Sequence, residues 1–336
     1  MSAIPAAEAA PTRGAGPNPP PDARRTGRRF AALRSARGVP RALLLVGTVM
    51  TAVFVVLAVF APLIAPYGFD QYTDGGHRFA KLAGPSAQHL FGTTVQSVDV
   101  LSRVVFGART ALEVVVLAVV FSVLIGVPLG LLSGYFGGLL DRFLVLVMDA
   151  LFAFPYLLLA IVIAFLLSNV VIGGGVVTTA LAITVIYVPQ YFRVVRASTL
   201  SAREATYVEA ARAMGAPART VISRYLFVNV VHSVPVIATL NAADAILTLA
   251  GLGFLGYGIQ PTEAAEWGYD LQRAIADAGA GIWWTALYPG LAITLLVIAL
   301  TLVGEGLNEV VNPALRRSRS RPVRLPARPE RKAADR

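Results

Sequence analysis

The chain is 336 residues long, 56% hydrophobic and only 14% charged, with a mean hydropathy of +0.67. Soluble domains carry about a quarter charged residues and cannot bury repeated runs of ~20 apolar residues, so this composition excludes a soluble globular protein and calls for a bilayer. The net charge of +10 does not indicate nucleic acid, because basic residues gather beside membrane spans, and the absence of cysteine excludes disulfides and thiolate metal centres, while three scattered histidines give no metal site.

Residues 1–40 combine Pro, Gly, Ala and Arg with few large apolar side chains. They are expected to form a basic, disordered tail held at an anionic inner leaflet. Six apolar runs follow: Ala42–Ala65, Ala111–Phe136, Phe143–Leu167, Val176–Phe192, Val228–Gly256 and Ala286–Leu307. The first is too long for the apolar region of a signal peptide and reads as an uncleaved span. Ahead of the second, Leu101, Val104, Val105 and Ala108 fall at helical spacing, with Arg103 and Arg109 elsewhere on the wheel. That pattern predicts an interfacial helix over Val98–Thr110. Within the second run, Gly126, Gly130 and Gly134 form a ridge of small residues on one helix face, with Pro128 in the same turn. Such a ridge lets a neighbouring backbone approach closely, either inside the chain or on a second membrane subunit.

Three polar side chains in the later runs invite two readings each. Asp149 lies near one end of the third run, and the fifth contains Asn241 and, one turn on, Asp244. A carboxylate is costly in lipid and must face protein or water, so these residues either line a pathway or pack through hydrogen bonds. Glu305 sits near the end of the sixth run and reaches the interface. Gly251–Gly256 reads GLGFLG, with Asp270 further on, which fits a dinucleotide fingerprint. It closes an apolar run with no strand–turn–helix unit around it, so close packing or a turn explains the glycines better. Trp283, Trp284 and Tyr288 mark an aromatic belt at the start of the last run. Residues 308–336 form a second basic tail.

Helices satisfy their own backbone hydrogen bonds in lipid, and the alternation of barrel strands is absent, so the fold class is an all-α integral membrane protein with a membrane domain over 41–307. Lys and Arg number about eight before the first run, about six in residues 193–227 and about nine after the last, against about five on the other face. This bias places both termini and the 193–227 loop in the cytoplasm. The only lysines, Lys81 and Lys332, follow no P-loop pattern, so energy from ATP would have to come from a partner.

The strongest signal lies in the cytoplasmic loop, where Tyr207–Val231 reads YVEAARAMGAPARTVISRYLFVNVV. Glu204–Met214 has helix-forming composition. Gly215 can end that helix in a left-handed conformation, Pro217 can open the next, and Thr220–Phe227 resumes an apolar helical pattern. The product is a short helix–turn–helix, a knob suited to a groove on a soluble partner. This segment resembles the Glu-Ala-Ala motif of ATP-binding-cassette (ABC) importer permeases, through Glu209, Ala210, Ala211 and, after three intervening residues, Gly215. The resemblance spans about Arg41 to Arg316. It is nearest to the C-type permease of dipeptide, oligopeptide and nickel importers, in HLFGTTVQSVDVLSRVVFGARTAL (89–112), LLSGYFGGLLDR (131–142), FAFPYLLLAI (152–161), EWGYDLQRA (266–274) and WWTALYPGLAITLLVIALTLVGEGL (283–307). Departures fall at Thr94, at Ser97–Asp99, at Val228, and at Leu249, Gly251 and Gly253.

The resemblance implies a six-helix, type I importer-like permease that performs no covalent chemistry. Its implied partners are a homologous B-type permease, two ABC ATPase subunits that hold the ATP and Mg, an extracytoplasmic solute-binding protein and membrane lipids. Glu209, Ala210, Ala211 and Gly215 would couple it to the ATPases. The rival classes are an ion-coupled secondary transporter using Asp149 or Asp244, and a non-transporting membrane scaffold.

Overall fold

A computed structural model describes residues 39–168 and 174–311. The expected tails lie outside the described residues, apart from the few positions that prolong the first and last helices. The described chain is helical with one small ribbon. Helix α1 spans Val39–Val59, and after a single turn at Ala61–Ile64 the chain forms a two-stranded antiparallel ribbon, β1 (Thr73–Asp74) and β2 (His77–Arg78). Helix α2 covers Val100–Phe136, α3 Gly138–Ala153, α4 Tyr156–Ser168 and α5 Gly174–Arg203. A short helix α6, Thr206–Ala213, precedes the long α7, Ala218–Phe254, then α8 at Trp267–Gly279 and α9 at Trp284–Val311.

Helices α1, α2, α5, α7 and α9 are each long and apolar enough to cross a membrane, and α3 with α4 makes a sixth crossing as one bent pair. The third span is therefore not the straight helix expected over Phe143–Leu167. It breaks at Phe154 and Pro155 with a bend of 102°. The residue before a proline is pushed out of the helical region, and Phe154 is extended at φ −83° and ψ 141°.

Packing fixes the course of the chain. Positions 126, 130 and 134 of α2 meet residues 188–192, 192–195 and 196–199 of α5 in turn, so these two helices run parallel. A chain that leaves α2 at Phe136 must then climb back over roughly 40 Å, at 1.5 Å per residue, before α5 begins. The bent pair makes that return, which is why it counts as one crossing. Gly306 meets Leu44 and Gly47 meets Leu302, so α1 and α9 are antiparallel and bring both described chain ends to one face. The start of α3, the end of α5 and helix α6 share this terminal face, and the ribbon and α8 lie on the opposite face.

A second expectation changes. Val98–Thr110 is no separate interfacial helix: from Val100 it forms the first turns of α2, capped by Asp99, whose Oδ2 accepts the Ser102 N–H at 2.8 Å. Nothing in Val100–Phe136 interrupts it, and the helix runs through Pro128. The 193–227 loop holds the expected helix–turn–helix, and the flanking helices extend into it. Helix α5 continues to Arg203 and α7 begins at Ala218, with one π-helical turn at Val221–Leu226.

The glycine ridge packs inside the chain. A Cβ on Gly126 would stand 2.7 Å from Tyr191 Cβ, one on Gly130 2.8 Å from the Phe192 carbonyl, and one on Gly134 2.7 Å from Thr199 Cβ. The ridge is thus the seam between α2 and α5. GLGFLG serves the opposite face. Gly253 leaves room for the Glu266 carboxylate, and Gly256 ends α7 at φ +82°.

Candidate functional site

The knob on the terminal face is built from small residues. In α6, Val208 and Ala211 are fully buried, beside Val221 and Leu226 of α7, and this seals the knob to the bundle. Glu209 and Ala210 face outward. The Gly215 N–H donates to Arg212 O at 2.9 Å and the Ala216 N–H to Ala211 O at 3.0 Å, so the carbonyls at the end of α6 are satisfied by the turn itself. Gly215 has φ +79°, and a Cβ there would meet nothing within 4 Å, so the requirement for glycine is conformational rather than steric. Pro217 then opens α7. Met214 is 77% exposed at the tip, and Tyr207, in the first turn of α6, is 40% exposed. The Arg212 guanidinium stacks 5.0 Å from the Tyr135 ring centre, and Arg203 Nη1 donates to Gly134 O at 3.1 Å, which ties the knob to the end of α2.

Of the expected coupling residues, the structure brings Glu209, Ala210, Ala211 and Gly215 together on this knob, with Ala211 turned inward as its base. The pathway candidates separate. Asp149 lies on the half-exposed surface of α3 and pairs with Arg193 Nη2 at 2.7 Å, and Arg193 also covers the Phe152 ring at 4.1 Å. One turn nearer the terminal face, Arg196 grips Asp141 through Nε at 2.5 Å and Nη2 at 2.7 Å, and Ser133 Oγ donates to the same carboxylate. Asn241 is buried against Tyr191, with no standard hydrogen bond to its Nδ2. Asp244 alone among the three lines a cavity. This space of about 440 Å³ opens at the α3–α4 bend between α5 and α7.

Sequence reasoning missed the polar clamp of the opposite face. Buried Arg103 of α2 grips Asp270 of α8 through Nε at 2.8 and 3.0 Å and Nη2 at 2.7 Å, and also donates to Phe69 O. Glu266, 3% exposed, caps α8 by accepting the Gly268 and Tyr269 N–H groups at 2.8 and 2.7 Å. Burial pushes its carboxyl up to about 8, against the pull of those two N–H groups. His89 Nδ1 and Asp99 Oδ1 stand 2.9 Å apart in the buried base of the 65–99 loop. The 89–112 and EWGYDLQRA segments marked these residues in the sequence, but without partners assigned. No group of three or more His, Cys, Asp or Glu that could hold a metal is present among the described residues.

A bundle of six crossings with a small exposed knob on one face and a largely apolar cavity beside a broken helix is the architecture of a transport permease. The comparisons with known proteins agree. The family model described as "Binding-protein-dependent transport system inner membrane component" matches residues 126–317. The chain is 35% identical to the dipeptide transport system permease protein DppC of Alkalihalophilus pseudofirmus, covering 82% of this chain and 86% of that protein. It is 35% identical to the glutathione transport system permease protein GsiD of Pectobacterium atrosepticum (78% and 84% covered) and 36% identical to that of Escherichia coli O157:H7 (78% and 83%). The chain belongs to this family: it is a multi-pass membrane permease of the ABC importer type, in the peptide branch.

Proposed function

We propose that this chain forms, with a homologous B-type permease, the membrane pathway for small peptides, driven by two ABC ATPases and fed by an extracytoplasmic solute-binding protein. The terminal face is the cytoplasmic one, as the Lys and Arg bias of the sequence supports. ATP and Mg belong to the ATPases, and the chain itself performs no covalent chemistry. Closure of the ATPases moves the knob, and the knob moves the end of α5 and the start of α7, between which it is mounted.

The observation that carries this reading is the Gly215 turn. The left-handed turn fixes the direction in which the exposed tip leaves the bundle, and this supports a docking role for it. Gly215→Val imposes strain at φ +79° and misdirects the tip, and Glu209→Lys reverses a charge on its outer face. Both variants are expected to insert and pair with the partner permease normally, yet to lose at least ~10-fold of ATP-dependent dipeptide uptake in reconstituted vesicles, which corresponds to about 1.4 kcal/mol of coupling. Full uptake by both would remove the coupling role. Uptake that survives ATP depletion but not collapse of the ion gradient would favour a secondary transporter.

A further inference from the structure

The cavity at the α3–α4 bend has a chemistry of its own. Asp244 lies at the midpoint of Val234–Phe254, about 15 Å from either end at 1.5 Å per residue. It therefore lies well inside the apolar run, where a carboxylate is expensive. Its side chain is exposed on the surface of the single chain, and among the described residues no donor bonds it and no cation pairs with it. Arg193, which covers the ring of the lining residue Phe152, is engaged by Asp149 rather than by Asp244. The remaining walls are aromatic and aliphatic, with a few polar groups that include Gln190. Phe152, Phe154, Tyr156 and Tyr187 contribute rings, and Tyr187 Oη and Thr248 Oγ1, 3.2 Å apart, contribute polar edges.

Aromatic side chains and a single unpaired carboxylate around a space of ligand size suit an organic cation. The rings attract positive charge through their quadrupoles, and the carboxylate supplies the counter-charge that the bilayer lacks. We propose that Asp244 is a cation-selecting subsite of the translocation pathway, which takes an ammonium or guanidinium group of the passing solute and favours basic over acidic peptides. This rests on the peptide reading above. Asp244 acts by binding alone, with no proton or bond transferred.

The test uses the complete importer, with its partner permease, ATPases and binding protein, in proteoliposomes. Uptake of alanyl-lysine and alanyl-glutamate is measured for the wild type, Asp244→Asn and Asp244→Glu, and expressed as the ratio of the two peptides. The binding protein is identical in all three, so its own preference cancels between them. The expected result is a ratio lowered about tenfold in Asp244→Asn and largely kept in Asp244→Glu. An unchanged ratio in Asp244→Asn, or an equal loss of both peptides that Asp244→Glu does not restore, overturns the proposal and makes Asp244 a packing or interface residue. Failure of the wild-type complex to import either peptide is a different result, which removes the peptide reading and the proposal with it.

Discussion

Glu266 shows how one side chain can hold two elements together at a cost that depends on pH. Its carboxyl caps α8 and presses against Gly253 of α7, where any Cβ would collide with it. Burial raises its pKa to about 8 from an ordinary 4.5, so the folded state binds the proton more tightly than the unfolded chain does. The sign follows: this contribution to stability is complete below about pH 4.5, is lost as pH rises through about 8, and is absent above it. Trp267, whose Nε1 donates to Val104 O at 3.1 Å, reports on the same junction. With Trp283 and Trp284 replaced by Phe, emission from Trp267 is expected to shift to the red between pH 6.5 and 9, and Glu266→Gln is expected to abolish the shift. A pH-independent spectrum in the unsubstituted Glu266 protein would contradict this account. At this scale the sequence told little. Glu266, Arg103 and Asp270 are ordinary loop or helix charges until the fold brings residues 163–167 positions apart into contact, and no periodicity encodes such a pairing.

At the scale of elements, the glycine ridge was the most legible feature in position and the least in partner. Four-residue spacing puts Gly126, Gly130 and Gly134 on one helix face whatever lies opposite, and only the packing reveals that α5 of the same chain lies there. Gly130→Leu would drive a branched side chain into the Phe192 carbonyl and Val195, and such overpacking costs about 1–3 kcal/mol. The purified protein is expected to melt several degrees lower, whereas Gly279→Ala, where a Cβ meets nothing within 4 Å, should leave the melting temperature unchanged. Equal melting of Gly130→Leu and the wild type would mean that the seam is looser than it stands. The broken third span was legible only in hindsight. The apolar run is continuous, and Pro155 alone marks the break, but prolines at 128, 189 and 289 sit inside helices that continue through them. What differs at 155 is the extended Phe154 and the freedom of α4 to turn away into the cavity wall. The interfacial helix expected at Val98–Thr110 failed for a related reason. A lone amphipathic stretch and the buried first turns of a long helix share one pattern, and the Asp270 partner that lets Arg103 be buried lies on a distant element.

For the whole molecule, hydropathy and the placement of Lys and Arg carried most of the architecture. Six apolar runs became six crossings once the bent pair is taken as one, and the parallel course of α2 and α5 requires that return. The knob was legible because its signals are local: an alanine-rich turn, a glycine that must be left-handed and a proline that opens the next helix, all within residues 206–218. The cavity was not, since it exists only where α3, α4, α5 and α7 meet. The central claim is that the tip of the knob seats on an ATPase. The chain contains no native cysteine, so Met214→Cys gives a single thiol on a highly exposed side chain of the tip, and Leu255→Cys gives one on the opposite face. In membranes containing the full importer, a short thiol-to-amine crosslinker is expected to join Met214→Cys to the ATPase, and to do so far less once Gly215→Val is added. Leu255→Cys should give no such product. Crosslinking of Met214→Cys only to the partner permease, or ATPase capture at Leu255→Cys instead, would contradict the account.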